Sequence, residues 1–398
     1  MTISGTTSLM RRINSSAVLD VIRQESPIAQ SQIARKLNIS IPTVMRITES
    51  LMADDLVRLT GDTQSSGGRP RTMIEFNKDG YAVIGLDLGG TKLFGTVANL
   101  GGEIIYERSV AWEDKNPQSR IDQVYKLIEL LLDIPNSTQL KVRGIGVGAP
   151  GVTIYPEGIV TWAPSLGWRD LPLRDLLSEQ FGLPVIVEND VNLAALGEFW
   201  FGGLKNLSSL VCIAVGTGIG AGIVIDRKIF HGHHYSAGEI GYLPPDIHSL
   251  GQPYPEFGAL ESASSGLGLE NRAQALINQE GKGSLQIRIN AEEIFCAARR
   301  GEKWAARLVE ETAEYLSLAI ASVALLIDPE VIVLGGGMAG SADILLPLIE
   351  NRLEGVIPIT PRIEASKLGS RAAVMGAIIL VLDTTTERVE VQVLNNNK

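Results

Sequence analysis

Apolar positions Val18, Leu19, Val21 and Ile22 fall on one helical stripe, which predicts a helix over 18–24 that Pro27 ends. A second, shorter helix is predicted over 31–37, with Ile33, Ala34 and Leu37 inward. Asn38-Ile39-Ser40 reads as a turn. Ser40 is a good helix cap, and Pro42 sits in the first turn of the next helix, where a missing N–H is harmless. That third helix is predicted over 41–54, with Val44, Ile47 and Leu51 inward. Residues 57–60 and 72–76 alternate like two strands of a small hairpin, joined by a Gly/Ser/Arg-rich loop.

Helix, short helix, tight turn, helix and hairpin make a winged helix-turn-helix. In that geometry the third helix enters the major groove with its N-terminal residues at the base edges. Those residues are Ser40, Pro42, Thr43 and Arg46. Arg69 and Arg71, beside a proline and glycines, suit a minor groove. Two plainer readings stay open: a three-helix protein-interaction domain, and GGRPR as an exposed loop.

From residue 81 the pattern changes to buried strands. A strand over 82–88, the turn Gly89-Gly90-Thr91, a strand over 92–99, a Gly-Gly turn and a strand over 103–109 succeed one another. The same order recurs at 210–215, Gly216-Thr217-Gly218, 221–225 and 229–232. Helical patterns come after each triplet, at 121–132 and 308–326, then strands at 142–148 and 331–334. The body reads as a doubled unit with a cleft between its halves. Glycines let backbone N–H groups approach an anion, and Thr91, Lys92 and Thr217 add donors. Two such turns at equivalent points can converge on one polyphosphate. Asp87, beside the first turn, suits Mg²⁺ held through water. Gly335-Gly336-Gly337 would let a flat adenine ring lie on bare backbone.

Composition narrows the partners. The net charge is −10, yet residues 1–72 hold nine Lys/Arg against six Asp/Glu, a balance of +3 that leaves −13 on the remainder. Nucleic acid must therefore be met by the N-terminal segment. Apolar stretches at 316–327 and 374–382 are too short to span a bilayer and read as buried helices. No membrane partner is expected. Cys212 and Cys296, both in apolar pattern, read as core thiols of a cytoplasmic protein.

The body resembles the ROK family of repressors, open reading frames and kinases. The resemblance covers about residues 80–382 and rests on DLGGTK (87–92), GIGVGAPG (144–151), ENDVNLAALGE (188–198), VGTGIGAG (215–222), SAGEIG (236–241), ALESASSG (259–266) and VLGGGMA (333–339). It implies an α/β fold: an actin-like, hexokinase-type ATPase body, a duplicated ribonuclease H-like unit, preceded by the winged helix-turn-helix. The expected domains are 1–77 and 78–398, the latter in lobes 78–188 with 365–398, and 189–364. It implies that Asp190 takes the proton of an attacking sugar hydroxyl and that Asn189, Glu239 and Glu261 bind the sugar. Asp190 is also placed to cap the helix after it.

The chain departs from its family where Zn²⁺ ligands are expected. Tyr242, Gln252, Tyr254 and Ala259 occupy the positions of a histidine and three cysteines, so no zinc is predicted. Tyr242 stands where the family's histidine reaches the sugar. His231, His233 and His234 lack a further ligand at convincing spacing. Trp162 and Trp168 read as packing residues rather than sugar platforms. The whole chain resembles regulators of the xylose- or N-acetylglucosamine-repressor type. The expected function is a sugar-responsive regulator, a homodimer or tetramer binding a double-stranded DNA operator and a sugar or sugar phosphate. ATP and Mg²⁺ fit the retained phosphate turns. The alternative is an ATP-dependent sugar kinase. Residues 78–80 would be the hinge between head and body.

Overall fold

The computed structural model describes residues 7–60, 73–138, 140–254, 257–279 and 289–385. The N-terminal head runs α1 (Thr7–Glu25), β1 (Ile28–Ala29), α2 (Gln30–Leu37), α3 (Ile41–Ala53), β2 (Val57–Leu59) and β3 (Met73–Phe76). Its strands form a three-stranded sheet in the order β1-β3-β2. The first helix begins eleven residues before the expected start, because its early turns are polar and leave no apolar stripe to read. Asn38 adopts a left-handed conformation that ends α2, and the Ser40 hydroxyl accepts from Thr43 N to cap α3. Arg69 and Arg71 lie outside the described residues.

The first half of the body runs β4 (Ala82–Leu88), β5 (Lys92–Asn99), β6 (Ile104–Ala111), α4 (Pro117–Thr138), β7 (Val142–Ala149), β8 (Val152–Ile154), β9 (Ile159–Ala163), β10 (Trp168–Leu171), α5 (Leu173–Phe181), β11 (Val185–Asn189) and α6 (Asp190–Phe201). The second runs β12 (Ser209–Val215), β13 (Ile219–Ile225), β14 (Lys228–Ile229), α7 (Ala259–Ser264), α8 (Gly266–Gln279), α9 (Ala291–Arg299), α10 (Lys303–Ile327), β15 (Val331–Gly335), α11 (Ala342–Leu353), β16 (Arg362–Ala365) and α12 (Ala372–Thr385). Two five-stranded sheets carry these halves, in the orders β11-β7-β4-β5-β6 and β14-β13-β12-β15-β16. Each is an antiparallel meander extended by two parallel strands, so the doubling legible in the sequence is a doubling of topology. A small antiparallel sheet, β10-β9-β8, packs against the first half, with Val160, Ala163 and Trp168 in its core.

Three expectations are corrected. Cys212 is buried, but Cys296 is exposed: Ile294, Phe295 and Ala297 take the inward positions of α9 and leave Cys296 on its outer side. The apolar end of α10 is not all core, since Leu318, Leu325 and Leu326 point outward, Leu326 with 81% of its surface exposed. Residues 78–80 are bonded to both sides rather than free to swing. Lys78 Nζ pairs with Glu103 at 2.9 Å, Asn99 Nδ2 donates to Asp79 at 2.6 Å, and Gly80 sits against the Asp55 carbonyl. The head core (Leu19, Ile22, Ile47, Leu51, Ile74) continues into body residues Val83, Leu100, Met375 and Ile378 as one apolar cluster. No described helix is long and apolar enough to cross a membrane.

Candidate functional site

Strand β11 ends in Glu188-Asn189, and α6 starts at Asp190. The cap of α6 is Asn189, not Asp190. Asn189 Oδ1 accepts from Val191 N and Asn192 N, both at 2.9 Å, and its Nδ2 donates to the Gly151 carbonyl at 2.9 Å. Asp190 is thereby held as the first residue of the helix, and the end of β7 runs beneath it, with the β-carbon position of Gly148 3.2 Å from its Cα.

Around Asp190 the fold gathers the predicted acids. Burial, then Asp87, then Glu239 push its carboxyl well above the ordinary carboxylate range, while the Val191 N–H opposes them. Burial raises Asp87 to about 6, with Lys92 pulling the other way. Burial and the neighbouring Glu261 raise Glu239 to about 7. Carboxyls that are buried and raise one another in this way favour keeping protons. Glu261 itself is engaged by backbone: Ile219 N donates to it at 2.9 Å and Gly258 N at 3.1 Å, and α7 starts on that cap. Tyr242, in a 3-10 turn at Ile240–Tyr242, is 46% exposed, and partial burial holds its hydroxyl above the ordinary tyrosine range, with the neighbouring Trp162 pulling the other way. Trp168 is buried and donates to the Pro117 carbonyl at 3.2 Å, which is a packing role.

The glycine turns face one another. A β-carbon at Gly90 would stand 3.3 Å from Thr217 Oγ1, and one at Gly216 would stand 3.9 Å from Gly337 N. Three turns from three strands (β4, β12 and β15) therefore meet at one place. Gly336 has φ 76°, and a β-carbon there would press on Val215, so only glycine lets this turn cross the end of β12. Beside Gly337 nothing lies within 4 Å of the β-carbon position, which leaves bare backbone with space over it. Thr91 and Lys92 are exposed beside Asp87, and Gly89 is fixed by Trp112 Nε1, which donates to its carbonyl at 2.8 Å. Gly218 lies against Glu261, tying its turn to the acid group, and Gly335 packs on Cys212 Sγ. This donor set fits a nucleotide: backbone N–H groups for phosphate, open glycine surface for a flat ring, and a desolvated acid for a hydrated Mg²⁺.

The sequence reading missed one pair. Glu188, 1% exposed at its side chain, accepts from Asn189 N at 2.7 Å and Asn192 Nδ2 at 3.0 Å, and meets His231 Nε2 at 2.7 Å. The His231 ring stacks on Tyr155, 5.2 Å between centroids and 6° between planes. Among the described residues no group of three or more His, Cys, Asp or Glu side chains is arranged to hold a metal ion.

At the head, α3 presents Pro42 and Arg46 to solvent, with Thr43 half-buried. Ser40 and Thr43 are partly spent on each other, their hydroxyls 2.8 Å apart. Met45 and Ile41 share the exposed face, and neither was singled out in the sequence. The inward stripe Val44, Ile47 and Leu51 could have revealed them, since 41 and 45 are among the positions it leaves outside.

Comparison with known proteins agrees with this geometry. Residues 83–384 match the ROK family, and residues 11–58 match a winged helix-turn-helix DNA-binding family. The xylose repressor of Caldicellulosiruptor bescii is 31% identical over 394 residues, covering 95% of this chain and 97% of that one. A crystal structure of a ROK family transcriptional regulator, a homologue of the E. coli Mlc protein, superposes with a TM-score of 0.82 at 26% identity, covering 95% of this chain and 97% of the other. The ROK family glucokinase of Streptomyces griseus, solved with glucose and AMPPNP, gives a TM-score of 0.67 at 29% identity, covering 75% of this chain and 98% of its own. The chain belongs to the ROK family and carries a winged helix-turn-helix in front of its ROK body.

Proposed function

We propose that this protein is a cytoplasmic, sugar-responsive transcriptional regulator, acting as a repressor, that reads duplex DNA through α3 and binds a sugar beside Asp190. The observation that carries it is one chain in which a winged head shares a continuous apolar core with the body that holds the acid-lined cleft. The full-length match to a xylose repressor supports the same reading. Sugar hydroxyls would meet Asn189, Asp190 and Glu239, with Tyr242 and Glu261 at the rim; buried carboxylates suit a polyol because each accepts several hydrogen bonds. ATP would lie on Gly89, Gly90, Thr91, Lys92, Gly216, Thr217, Gly218 and Gly335–Gly337. Mg²⁺ near Asp87 would neutralise phosphate charge against the crowded acids. A homodimer is supported by the outward leucines Leu318, Leu325 and Leu326 of α10.

The test is selection of a duplex from a random pool by the purified protein, followed by footprinting with D-xylose and D-glucose. A protected two-fold site that opens with either sugar supports the regulator. No selected sequence overturns it.

The second reading is an ATP-dependent sugar kinase. Asp190 favours it, because its carboxyl, which accepts from the backbone N–H of Val191, is engaged by no other side chain in a hydrogen bond among the described contacts and lies close enough to Asp87 for the two charges to interact. A base in that place takes a hydroxyl proton while positioned phosphates receive the oxygen. ATP consumption with D-glucose, absent in Asp190→Ala, would establish it.

A further inference from the structure

We infer that α6 and α12 form a rigid strut carrying the state of the acid pocket to the DNA-reading head, with Arg23 as the residue that receives it. This deepens the regulator reading and rests on it. Helix α6 begins at the pocket and spans twelve residues to the head–body seam, a reach of about 18 Å at 1.5 Å per residue. Trp200, next to its last residue, lies under the guanidinium of Arg23 at 4.8 Å from ring centroid, with Arg227 also 5.3 Å away.

Midway, α6 crosses α12 backbone to backbone. A β-carbon on Gly197 would fall 2.1 Å from the Ala372 carbonyl oxygen, and one on Gly376 would fall 1.9 Å from that of Leu193. No flexible side chain separates the helices there, so displacement of one is passed to the other rather than absorbed. Helix α12 then runs on to Asp383, whose Oδ1 is 3.1 Å from Arg23 Nη1. Arg23 belongs to α1, and its side chain is only 7% exposed. Two routes from the pocket, along α6 and across to α12, thus end on one buried cation of the head. The same cation lies 5.9 Å from the ring of Phe76, on the wing strand β3. A sugar that draws Asn189-Asp190 toward it would move the strut at its pocket end. It shifts the head only insofar as it binds one strut position better than the other.

The competing account is that these contacts merely glue the head in place. Linkage separates the two. Coupling is the factor by which sugar changes affinity for the selected duplex, and the duplex must change sugar affinity by the same factor. The measurement uses the full chain, the duplex selected by the wild type, and D-glucose and D-xylose as probes, with Arg23→Ala, Trp200→Leu and Asp383→Asn. The expected result is a coupling factor reduced at least about threefold in each variant, while sugar affinity without DNA and DNA affinity without sugar stay within about twofold. Hydrogen exchange over residues 18–25 supplies a second readout. Sugar should change protection there in the wild type and not in Trp200→Leu.

Wild-type coupling retained in all three variants, with only the melting temperature lowered, overturns the strut and leaves the regulator standing. A wild type whose DNA affinity ignores both sugars overturns the regulator reading, and the strut with it.

Discussion

Glu188 Oε2 and His231 Nε2 lie 2.7 Å apart, and the other oxygen of Glu188 accepts from the backbone of Asn189. The pair therefore ties the loop after β14, which leads on to Glu239, to the turn that presents Asp190. His231→Ala leaves a buried carboxylate short of one partner, a loss of about 1–3 kcal/mol. Urea unfolding should show that loss, and D-glucose affinity should fall with it. His231→Gln, which can still donate, should recover part of both. Unchanged unfolding and binding in His231→Ala would mean the pair holds nothing.

The acid pocket gives a pH dependence of unusual sign. A carboxyl whose folded pKa is raised keeps its proton in the native state after the unfolded chain has released it. Its contribution is fully present below the unfolded value and is lost as pH rises through the folded one. For Glu239 that window runs from 4.5 to about 7. Acids held low by ion pairs, such as Asp343 beside Arg299, act in the opposite sense, so a difference between proteins isolates the pocket. Glu239→Gln stays neutral and should be more stable than the wild type at about pH 8, with the gap closing toward about pH 5. A gap of the same size at both pH values would remove Glu239 as the source. Mg²⁺ with ATP should also narrow the gap at the higher pH, by stabilising the charged pocket.

Much of this fold was legible because its strands are buried runs closed by glycine turns, as at Leu86, Leu88 and Gly89. The doubling could be seen because the two halves repeat that order. Helix α3 was legible from its cap and its inward stripe. The features that escaped depend on contacts distant in sequence. Glu188 and His231 are brought together by the fold, and nothing in either neighbourhood announces the other. Asp79 and Gly80 read as a hinge because their partners Asn99 and Asp55 lie elsewhere in the chain. The distinction between Asn189 and Asp190 as cap rests on a backbone angle, since Asn189 keeps φ −61° and ψ 138° and so stays outside the helix.

The glycine crossing of α6 and α12 makes a stability prediction independent of any ligand. Gly376→Ala would place a β-carbon 1.9 Å from the Leu193 carbonyl oxygen, which is backbone and cannot rotate away. The helices must part, with a loss of about 2 kcal/mol or more. Gly340→Ala, where nothing lies within 4 Å of the added carbon, is the control and should shift the unfolding midpoint little. Equal midpoints for the two variants would show that the crossing yields easily, and would weaken the case for a rigid strut.

At the head, the outward face of α3 carries one cation and two apolar side chains, Arg46, Met45 and Ile41. These should fail differently when removed. Arg46, expected at a base edge from the sequence, is equally within a helix turn of the DNA backbone, and the two placements differ in outcome. A guanidinium on a phosphate contributes to every sequence alike and responds to salt, so with that placement Arg46→Ala should weaken specific and random duplex together and flatten the salt dependence by about one unit of slope. An apolar side chain in the major groove reads thymine methyl groups. Met45→Ser should therefore reduce affinity for the selected duplex while leaving random duplex and the salt slope alone. Binding titrations at several salt concentrations, with both duplexes, measure all four quantities. If Arg46→Ala instead loses discrimination with its salt slope intact, Arg46 touches a base edge and Met45 is the residue beside the backbone. If neither variant changes DNA binding, α3 does not face the groove, and the exposed face of the head must be read as a protein-binding surface instead.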